Sequence, residues 1–200
     1  MRRLISILLV IVAGFVLFGC SSSQPEPTQS EHVFAKIVIA DYGEMTVELY
    51  PEKAPITVAN FVDLVNQGYY DGIPIHRVYP GFVIQGGAGS IAGKGEVPTI
   101  KGEFSANGVA NDLHHTRGAI SMARVGGQND SASSQFFICV DDCRLSLDTQ
   151  YACFGYVTEG METADKICEK VTNIDSNGFV QDINQMPVIE SIRIIQNTEG

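Results

Sequence analysis

The segment IPIHRVYPGFVIQGG, residues 73–87, contains two short runs of β-type residues, IHRVY and FVIQGG. Four further runs of this kind follow it along the chain: GAISMA, SQFFICV, YACFGYV and PVIESIRIIQ. Most of the sequence between these runs is rich in Gly, Asn, Asp and Ser, which is typical of loops. Many short strands with few helices favour a closed antiparallel barrel over alternating βαβ units.

The sequence before residue 73 adds a hairpin and a helix to this pattern. The runs VFAKIVIA and MTVELY are joined by a turn at 41–44, DYGE, which is a hairpin signal. In APITVANFVDLVNQG, Pro55 lies near a helix start, apolar residues recur at helical spacing, and Gly68 follows the end. A second helix is predicted for METADKICEKV, directly after Gly160.

Composition and charge describe one globular domain that does not bind nucleic acid. The chain has 200 residues, of which 44% are hydrophobic and 18% are charged, and its formal net charge is −10. Loss of an N-terminal segment containing Arg2 and Arg3 would leave 11 basic against 23 acidic residues, a charge of −12. Such a negative chain lacks the basic surface that binding to phosphate backbones requires.

The first 20 residues, MRRLISILLVIVAGFVLFGC, have the pattern of a signal peptide: two arginines and then an apolar run. A transmembrane anchor is the alternative, although residues 4–18 are fewer than the roughly 20 that span a bilayer as a helix. The ending LFGC resembles a bacterial lipoprotein signal, which implies cleavage before Cys20 and a lipid on that cysteine. We therefore expect a protein anchored by lipid to the outer face of the cell membrane.

Residues 21–32 are rich in Ser, Pro and Gln and are predicted to form a flexible tether, followed by one domain over 33–197. Four cysteines remain in that domain, and an even number in an exported protein permits disulfides. Because Cys139 and Cys153 lie in apolar strand-like runs, we expect these two to be free, buried thiols instead. Cys143, beside Asp141, Asp142 and Arg144, is expected to be exposed, but its net negative surroundings disfavour a reactive thiol. The four are Cys139, Cys143, Cys153 and Cys168.

Several catalytic motifs can be excluded. The segment GAGSIA, residues 87–92, matches a dinucleotide fingerprint, but GKGEVP follows it and predicts a loop where that motif needs a helix. The same region lacks the P-loop pattern, and neither G-x-S-x-G nor H-E-x-x-H occurs. Adjacent His114 and His115 cannot readily reach one metal ion. No metal or cofactor is predicted.

Three segments carry the most specific pattern: residues 73–87 quoted above, ISMARVGGQNDSASSQFFICV (120–140) and LSLDTQYACFGYV (145–157). They resemble the cyclophilins in the elements H-R-V-x-P-G-F-x-x-Q-G-G, S-M-A and S-Q-F-F-I, which occur in the right order and at the right spacing. The resemblance extends from about Val33 to Gln196. It implies a mainly β fold, a closed barrel of eight antiparallel strands capped by two helices, and peptidyl-prolyl cis-trans isomerase activity.

The resemblance also implies a site on the outer wall of the barrel. The implied catalytic residues are Arg77, Phe82 and Gln85. The implied substrate-binding surface comprises Val83, Ala123, Arg124, Gln135, Phe137, Leu147 and Tyr151. The expected partners are X-Pro segments of unfolded or folding polypeptides, and the domain is expected to act as a monomer.

The implied chemistry is consistent with these residue types. The barrier to rotation, about 18–20 kcal/mol, comes from the double-bond character of the C–N link. An arginine that donates a hydrogen bond to the prolyl nitrogen weakens this resonance most at the twisted transition state. Gln85 could hold the guanidinium, while apolar side chains hold the proline ring. Because no covalent bond is broken, no nucleophile is required.

Alternatives remain for the site and for its neighbours. Arg77 could be a surface ion-pair residue, and the groove could bind Pro-containing segments without turnover or be inert. His76 should face away from Arg77, so a hydrogen-bonded core histidine is expected there, and His115 is also interpreted as structural. The segment TNIDSNGFVQDINQM, residues 172–186, has no assigned role but is long enough to contact a partner.

The chain departs from the best-known eukaryotic cyclophilins at three positions of the groove. Ser146 replaces a tryptophan, which disfavours tight binding of cyclosporin, while Tyr151 replaces a histidine and Arg124 an asparagine. The last two changes resemble bacterial relatives. Altered substrate contacts, and not a loss of catalysis, are therefore expected.

Overall fold

The computed structural model describes residues 32–196. The predicted signal peptide (1–20), the predicted lipidation residue Cys20 and nearly all of the predicted tether (21–32) lie outside the described residues. Among residues 32–196, no helix has the length and apolar character needed to cross a membrane.

Eight strands and three α-helices make up the described part of the chain. The strands are β1 (Val33–Ile39), β2 (Gly43–Leu49), β3 (Arg77–Tyr79), β4 (Val83–Gly86), β5 (Ala119–Met122), β6 (Phe136–Cys139), β7 (Cys153–Glu159) and β8 (Ile189–Ile195). The helices are α1 (Pro55–Asn66), α2 (Arg144–Leu147) and α3 (Met161–Lys170). The predicted helices are α1 and α3. The single turn of α2 was not predicted.

One antiparallel sheet contains all eight strands, in the order β3-β4-β6-β5-β7-β2-β1-β8. The prediction of a mainly β fold with eight antiparallel strands is therefore confirmed. The predicted hairpin is β1–β2, paired from Val33 with Leu49 to Ile39 with Gly43. The first and last strands of the described residues are also neighbours, because Phe34 of β1 pairs with Ile195 of β8.

The prediction of a closed barrel is wrong. The edge strands β3 and β8 form no ladder with each other, and the sheet curls into a half-barrel. The segments beside them meet through hydrogen bonds from Ile75 N to the Pro187 carbonyl (2.7 Å) and from Ile189 N to the Ile73 carbonyl (3.0 Å). Pro74 and Pro187 lie in these segments, and proline has no N–H with which to extend a ladder.

The hydrophobic core lies between the concave face of the sheet and helices α1 and α3. In α1, Phe61 is fully buried, and its ring lies 5.3 Å from that of Tyr70 and 5.3 Å from that of Phe154. The N-terminus of α1 is capped from a distant segment: the buried Glu103 carboxylate accepts hydrogen bonds from Ile56 N (3.1 Å) and Thr57 N (2.8 Å). These are two of the donors that a helix start leaves without a partner.

A second, smaller apolar cluster lies on the outer face of the sheet. Alternation along β4 and β6 directs Ile84 and Ile138 into the main core and directs Val83, Phe137 and Cys139 outward. The buried members of the outer cluster are Val83, Ala119, Phe137, Cys139, Cys143, Leu147 and Cys153. This cluster forms the floor of the groove described below.

The structure confirms the buried positions predicted for Cys139 and Cys153 and the structural interpretation of His115, whereas the prediction that Cys143 is exposed is wrong, because this side chain is 4% exposed and packs in the outer apolar cluster. The four cysteines of the described residues are free, and Cys139, Cys143 and Cys153 are buried. His115 is 1% exposed and hydrogen-bonds Asp148 Oδ1 (2.9 Å) through Nδ1 and Ser121 Oγ (3.0 Å) through Nε2. Its role is therefore structural.

The excluded dinucleotide motif forms only a short 3₁₀ turn, Gly89–Ala92. Gly93 then adopts the left-handed conformation with φ 67°, which ends the turn. The long helix that a dinucleotide phosphate would need is not formed at this place, in agreement with the sequence interpretation.

Candidate active site

A row of paired residues crosses the outer face of the sheet at one level. Phe179 pairs with Arg77 of β3, Arg77 with Gln85 of β4, Gln85 with Phe137 of β6, and Phe137 with Ser121 of β5. Because directly paired residues project from the same face, their side chains form a continuous line. The register of four strands, together with one pairing from a loop, thus brings an arginine, a glutamine and two phenylalanines together.

These side chains line a groove of about 330 Å³. Nine of the ten site residues predicted from the sequence contribute to its walls: Arg77, Phe82, Val83, Gln85, Ala123, Arg124, Phe137, Leu147 and Tyr151. The tenth, Gln135, does not line the groove but accepts a hydrogen bond at Oε1 from Gln85 Nε2 (3.1 Å). The groove also includes Phe179, which the sequence did not indicate.

The guanidinium of Arg77 is held by two acceptors. Its Nε donates to the main-chain carbonyl of Asn177 at 2.8 Å, whereas its Nη1 lies 3.5 Å from Gln85 Oε1, at the long limit for a hydrogen bond. Gln85 therefore contacts Arg77 as expected, but the Asn177 carbonyl makes the shorter bond. Within residues 32–196 no hydrogen bond occupies Nη2.

Aromatic rings rather than carboxylates surround the Arg77 charge. The rings of Tyr79, Phe82 and Phe179 each lie 5.7 Å from its Cζ, which is within the range of cation–π attraction. No carboxylate of residues 32–196 forms an ion pair with Arg77. The described residues therefore do not support the alternative that Arg77 is a surface ion-pair residue.

The apolar part of the groove is built from strands and from α2. Phe82 lies in the turn before β4 and meets Tyr79 edge-on, with ring centroids 5.7 Å apart. Phe137 meets Tyr151 in the same way at 5.6 Å. The last residue of α2, Leu147, is 6% exposed and packs against the outer cluster. The short helix that the sequence did not indicate thus supplies one wall of this pocket.

The end of the groove opposite Arg77 carries a second cation. Arg124 follows β5, and its Cζ lies 4.9 Å from the Tyr151 ring and 5.2 Å from the Phe104 ring. Its Nε donates to the Gln150 carbonyl at 2.9 Å. Since β3 and β5 are separated by β4 and β6, the two arginines lie on opposite sides of the apolar floor.

His76, which precedes Arg77, is buried as expected but is not fully hydrogen-bonded. Its Nδ1 has no partner among the described residues, and its ring stacks on Phe179 at 6.2 Å. Burial and the neighbouring Arg77 charge lower the pKa of His76 to about 4, so the ring is neutral at pH 7. A neutral ring adds no charge repulsion beside Arg77.

Sequence reasoning missed Asn177 and Phe179. Both lie in segment 172–186, about 100 residues beyond Arg77, and only the pairing of this segment with β3 brings them to the groove. The available signal was local: Asn177-Gly178 is a turn dipeptide, and Phe179 follows it in a polar loop. An aromatic residue at such a place is compatible with binding, but nothing local specifies which surface it meets.

The chemistry available in this groove is non-covalent. Burial raises the pKa of the thiols of Cys139, Cys143 and Cys153, which keeps them protonated and unreactive at pH 7. Among residues 32–196, no group of three His, Cys, Asp or Glu side chains is arranged to hold a metal ion. A fixed cation with N–H groups directed outward, above an apolar pocket, can bind a peptide group and an adjacent hydrophobic ring.

This eight-stranded antiparallel half-barrel, with its groove on the outer face, is similar to the fold of solved proteins of the cyclophilin class. The family model described as cyclophilin type peptidyl-prolyl cis-trans isomerase/CLD matches residues 34–196. The chain therefore belongs to this family and is a peptidyl-prolyl cis-trans isomerase.

Individual relatives agree with this assignment. A peptidyl-prolyl cis-trans isomerase A of Dickeya dadantii is 42% identical over 176 residues, which cover 84% of this chain and 87% of the relative. A peptidyl-prolyl cis-trans isomerase B of Bacillus subtilis is 45% identical over 128 residues, covering 64% and 85% of the two chains. A cyclophilin-type isomerase of Cryptosporidium parvum, crystallised in the presence of the dipeptide Ala-Pro, superposes with a TM-score of 0.69 at 28% identity, covering 82% of this chain and 99% of that one.

Proposed function

We propose that this isomerase accelerates the folding of exported proteins at the outer face of the cell membrane, with Arg77 donating a hydrogen bond to the prolyl nitrogen. The observation that supports this mechanism is the hydrogen bonding of the Arg77 guanidinium. Its Nε and Nη1 face protein acceptors, whereas Nη2 has no partner within residues 32–196 and belongs to a side chain that lines the apolar pocket.

In this mechanism the substrate proline ring occupies the apolar pocket formed by Phe82, Val83, Phe137 and Leu147. Arg77 Nη2 donates to the prolyl nitrogen as the C–N bond twists. The lone pair of that nitrogen is delocalised in the planar ground state and localised in the twisted transition state, so the hydrogen bond is stronger at the transition state. The absence of an ion pair to Arg77 leaves its full charge to strengthen this bond.

The lining of the groove also supports a role for Gln85 and for the far end of the site. Gln85 contacts Arg77 through Oε1 and Gln135 through Nε2, so its amide links the catalytic side chain to the wall of the groove. Ala123, Arg124 and Tyr151 lie on the opposite side of the apolar floor. We assign them to the chain that flanks the proline.

Replacing Arg77 with alanine tests the mechanism. A protease-coupled assay on a proline-containing peptide, run with the full-length chain in detergent, should show kcat/KM falling about 10²-fold, or about 2.7 kcal/mol. The matched control is Arg193→Ala, which removes an exposed arginine paired with Asp71 (2.6 Å) outside the groove and should retain activity. Full activity in Arg77→Ala would exclude the proposed mechanism. Peptide binding without any rate enhancement in the wild type would favour a holdase instead.

The proposed location rests on the N-terminal sequence. The run before Cys20, the lipoprotein-like LFGC and the polar segment after it support a lipid anchor with a spacer. Mass spectrometry of the N-terminus of membrane-extracted protein should find a mature chain that begins with an acylated Cys20. The variant Cys20→Ser should lose the acyl group. An intact Met1 in the membrane fraction, or an unmodified soluble product, would contradict the proposal.

A further inference from the structure

The segment between α3 and β8 folds into a small hairpin, which we name the 173–181 hairpin. Its two arms are joined by hydrogen bonds from Gln181 N to the Asn173 carbonyl (3.0 Å) and from Asp175 N to the Phe179 carbonyl (3.0 Å). At the tip, Gly178 N donates to the Asp175 carbonyl at 3.0 Å. The segment therefore has a defined backbone path.

The hairpin is attached to the free edge of β3. Val78 N donates to the Gly178 carbonyl at 2.7 Å, and Val180 N donates to the His76 carbonyl at 3.0 Å. These two bonds flank Arg77, whose own side chain donates a hydrogen bond to the Asn177 carbonyl of the tip at 2.8 Å. The hairpin is thus bridged to the edge strand β3 at a single residue pair, Phe179 with Arg77, at the place where the guanidinium lies.

Asp175 fixes the conformation of the tip. Its Oδ1 accepts hydrogen bonds from Asn177 N (2.8 Å) and from Phe179 N (2.9 Å), so one carboxylate oxygen organises both residues that reach the groove. No ion pair involving Asp175 is formed within residues 32–196. Asp175 therefore acts on the hairpin through its hydrogen bonds to backbone N–H groups.

Gly178 completes the tip. Its φ of +83° is a left-handed conformation that glycine adopts without strain. A Cβ at this position would lie 2.9 Å from the Val78 carbonyl oxygen and 2.9 Å from Tyr79 Cβ. Any larger residue would therefore push the tip away from β3 and move the Asn177 carbonyl with it.

We propose that the 173–181 hairpin is a positioning element of the active site and that Asp175 is its positioning residue. This inference rests on the proposed role of Arg77. By fixing the Asn177 carbonyl, Asp175 restricts the guanidinium to the orientation in which Nε is bonded to protein and Nη2 remains available to substrate. An arginine side chain has several rotatable bonds, and small displacements of a catalytic group cost much of its rate effect. The Gln85 contact at 3.5 Å is too long to do this alone.

The test compares Asp175→Ala with Asp175→Asn, because asparagine keeps the Oδ1 acceptor and removes only the charge. Both variants are made in the full-length chain, in the wild-type and the Arg77→Ala backgrounds, and assayed on one X-Pro peptide. We expect Asp175→Ala to lower kcat about tenfold with KM changed less than about twofold, and Asp175→Asn to stay within about twofold of wild type. Gly178→Ala, which displaces the same carbonyl sterically, should reproduce the loss in kcat.

The double variant separates positioning from general loosening. If Asp175 acts through Arg77, adding Asp175→Ala to Arg77→Ala should lower activity no further. A further tenfold loss in the double variant, or unchanged kcat in both Asp175→Ala and Gly178→Ala, would overturn the inference while leaving the proposed function intact. An inactive wild type, or full activity in Arg77→Ala, would overturn the proposed function itself.

Discussion

Arg77 is a cation whose neighbours preserve its charge. Three aromatic rings and two carbonyl-type oxygens surround the guanidinium, and no carboxylate of the described residues pairs with it. A carboxylate would hold the arginine more tightly, but it would also occupy N–H groups that the proposed mechanism assigns to substrate. The site therefore orients the Arg77 guanidinium with dipoles and ring faces.

Phe179 should contribute to substrate binding and not to the bond rotation. Its ring is 43% exposed and lines the groove beside Arg77. Removing it in Phe179→Ala takes away apolar contact worth about 1 kcal/mol, so KM should rise about fivefold for peptides with a large apolar residue next to proline. The kcat should stay within about twofold.

A matched control lies on the same loop. Ile183 is 60% exposed but does not line the groove, so Ile183→Ala should leave KM unchanged. Steady-state kinetics on peptides with alanine or phenylalanine beside proline measure both variants. A KM for Phe179→Ala that matches wild type with both peptides would show that the ring does not contact substrate.

The sequence predicted groove residues correctly where they lie close together in one segment of the chain. Arg77, Phe82 and Gln85 lie in one segment of the chain, so one motif indicates all three. Asn177 contacts Arg77 through its main-chain carbonyl, which any residue type would supply. The identity of the residue at position 177 therefore does not reveal this contact. Its position follows from pairing between segments about 100 residues apart, which no local pattern encodes.

The elements follow local signals closely. Pro55 and Gly68 delimit α1 and Gly160 precedes α3, as predicted. A turn also joins β1 to β2 as predicted, but it lies at residues 40–42, because Gly43 and Glu44 of the predicted turn are already paired with β1. The closed barrel was wrongly predicted because closure depends on whether the two edge strands, β3 and β8, can form a ladder with each other. Pro74 and Pro187 interrupt that contact, and their effect appears only when both segments are placed side by side.

The N-terminus of α1 provides a prediction about stability. Ala54 precedes the helix and supplies no side-chain cap, so the Glu103 carboxylate is the acceptor for Ile56 N and Thr57 N. Glu103→Ala leaves the buried Thr57 N and the part-buried Ile56 N without this acceptor and should lower the free energy of unfolding by about 2 kcal/mol. Urea denaturation measures the difference.

Two further variants test whether the loss of stability comes from the missing helix cap. Glu103→Gln keeps one oxygen acceptor and should lose less stability than Glu103→Ala. Glu96→Ala, at an exposed glutamate, should change stability by no more than about 0.5 kcal/mol. Equal losses in Glu103→Ala and Glu96→Ala would show that the distant cap does not stabilise the helix.

For the whole molecule, buried histidines predict how stability depends on pH. The pKa of His76 is lowered to about 4 in the fold by burial and by Arg77, from an ordinary value of 6.5. Between pH 6.5 and 4 the imidazole of His76 binds a proton in the unfolded chain but not in the folded chain. The free energy of unfolding therefore falls as the pH drops from 6.5 towards 4. His76 alone contributes up to about 3 kcal/mol of this loss.

Chemical unfolding at a series of pH values from 7 to 4 tests this dependence. His76→Phe removes the titrating group and should flatten the curve. Some slope should remain, because burial also lowers the pKa of His115. Paired carboxylates such as Asp71, whose pKa is lowered by Arg193, lose their contribution only below the ordinary aspartate value of 3.8. An identical slope in His76→Phe and wild type would contradict the assignment.

The pairing of β1 with β8 sets the order in which this protein can become active. Of the strands in residues 32–196, β1 is the first to be synthesised and β8 is the last, yet Phe34 and Ile195 are neighbours in the finished sheet. Contacts this distant along the chain form late and slow folding. Until the last residues are delivered, one edge of β1 remains unpaired and open to wrong partners. This prolyl isomerase thus depends on β8 before its own fold is complete.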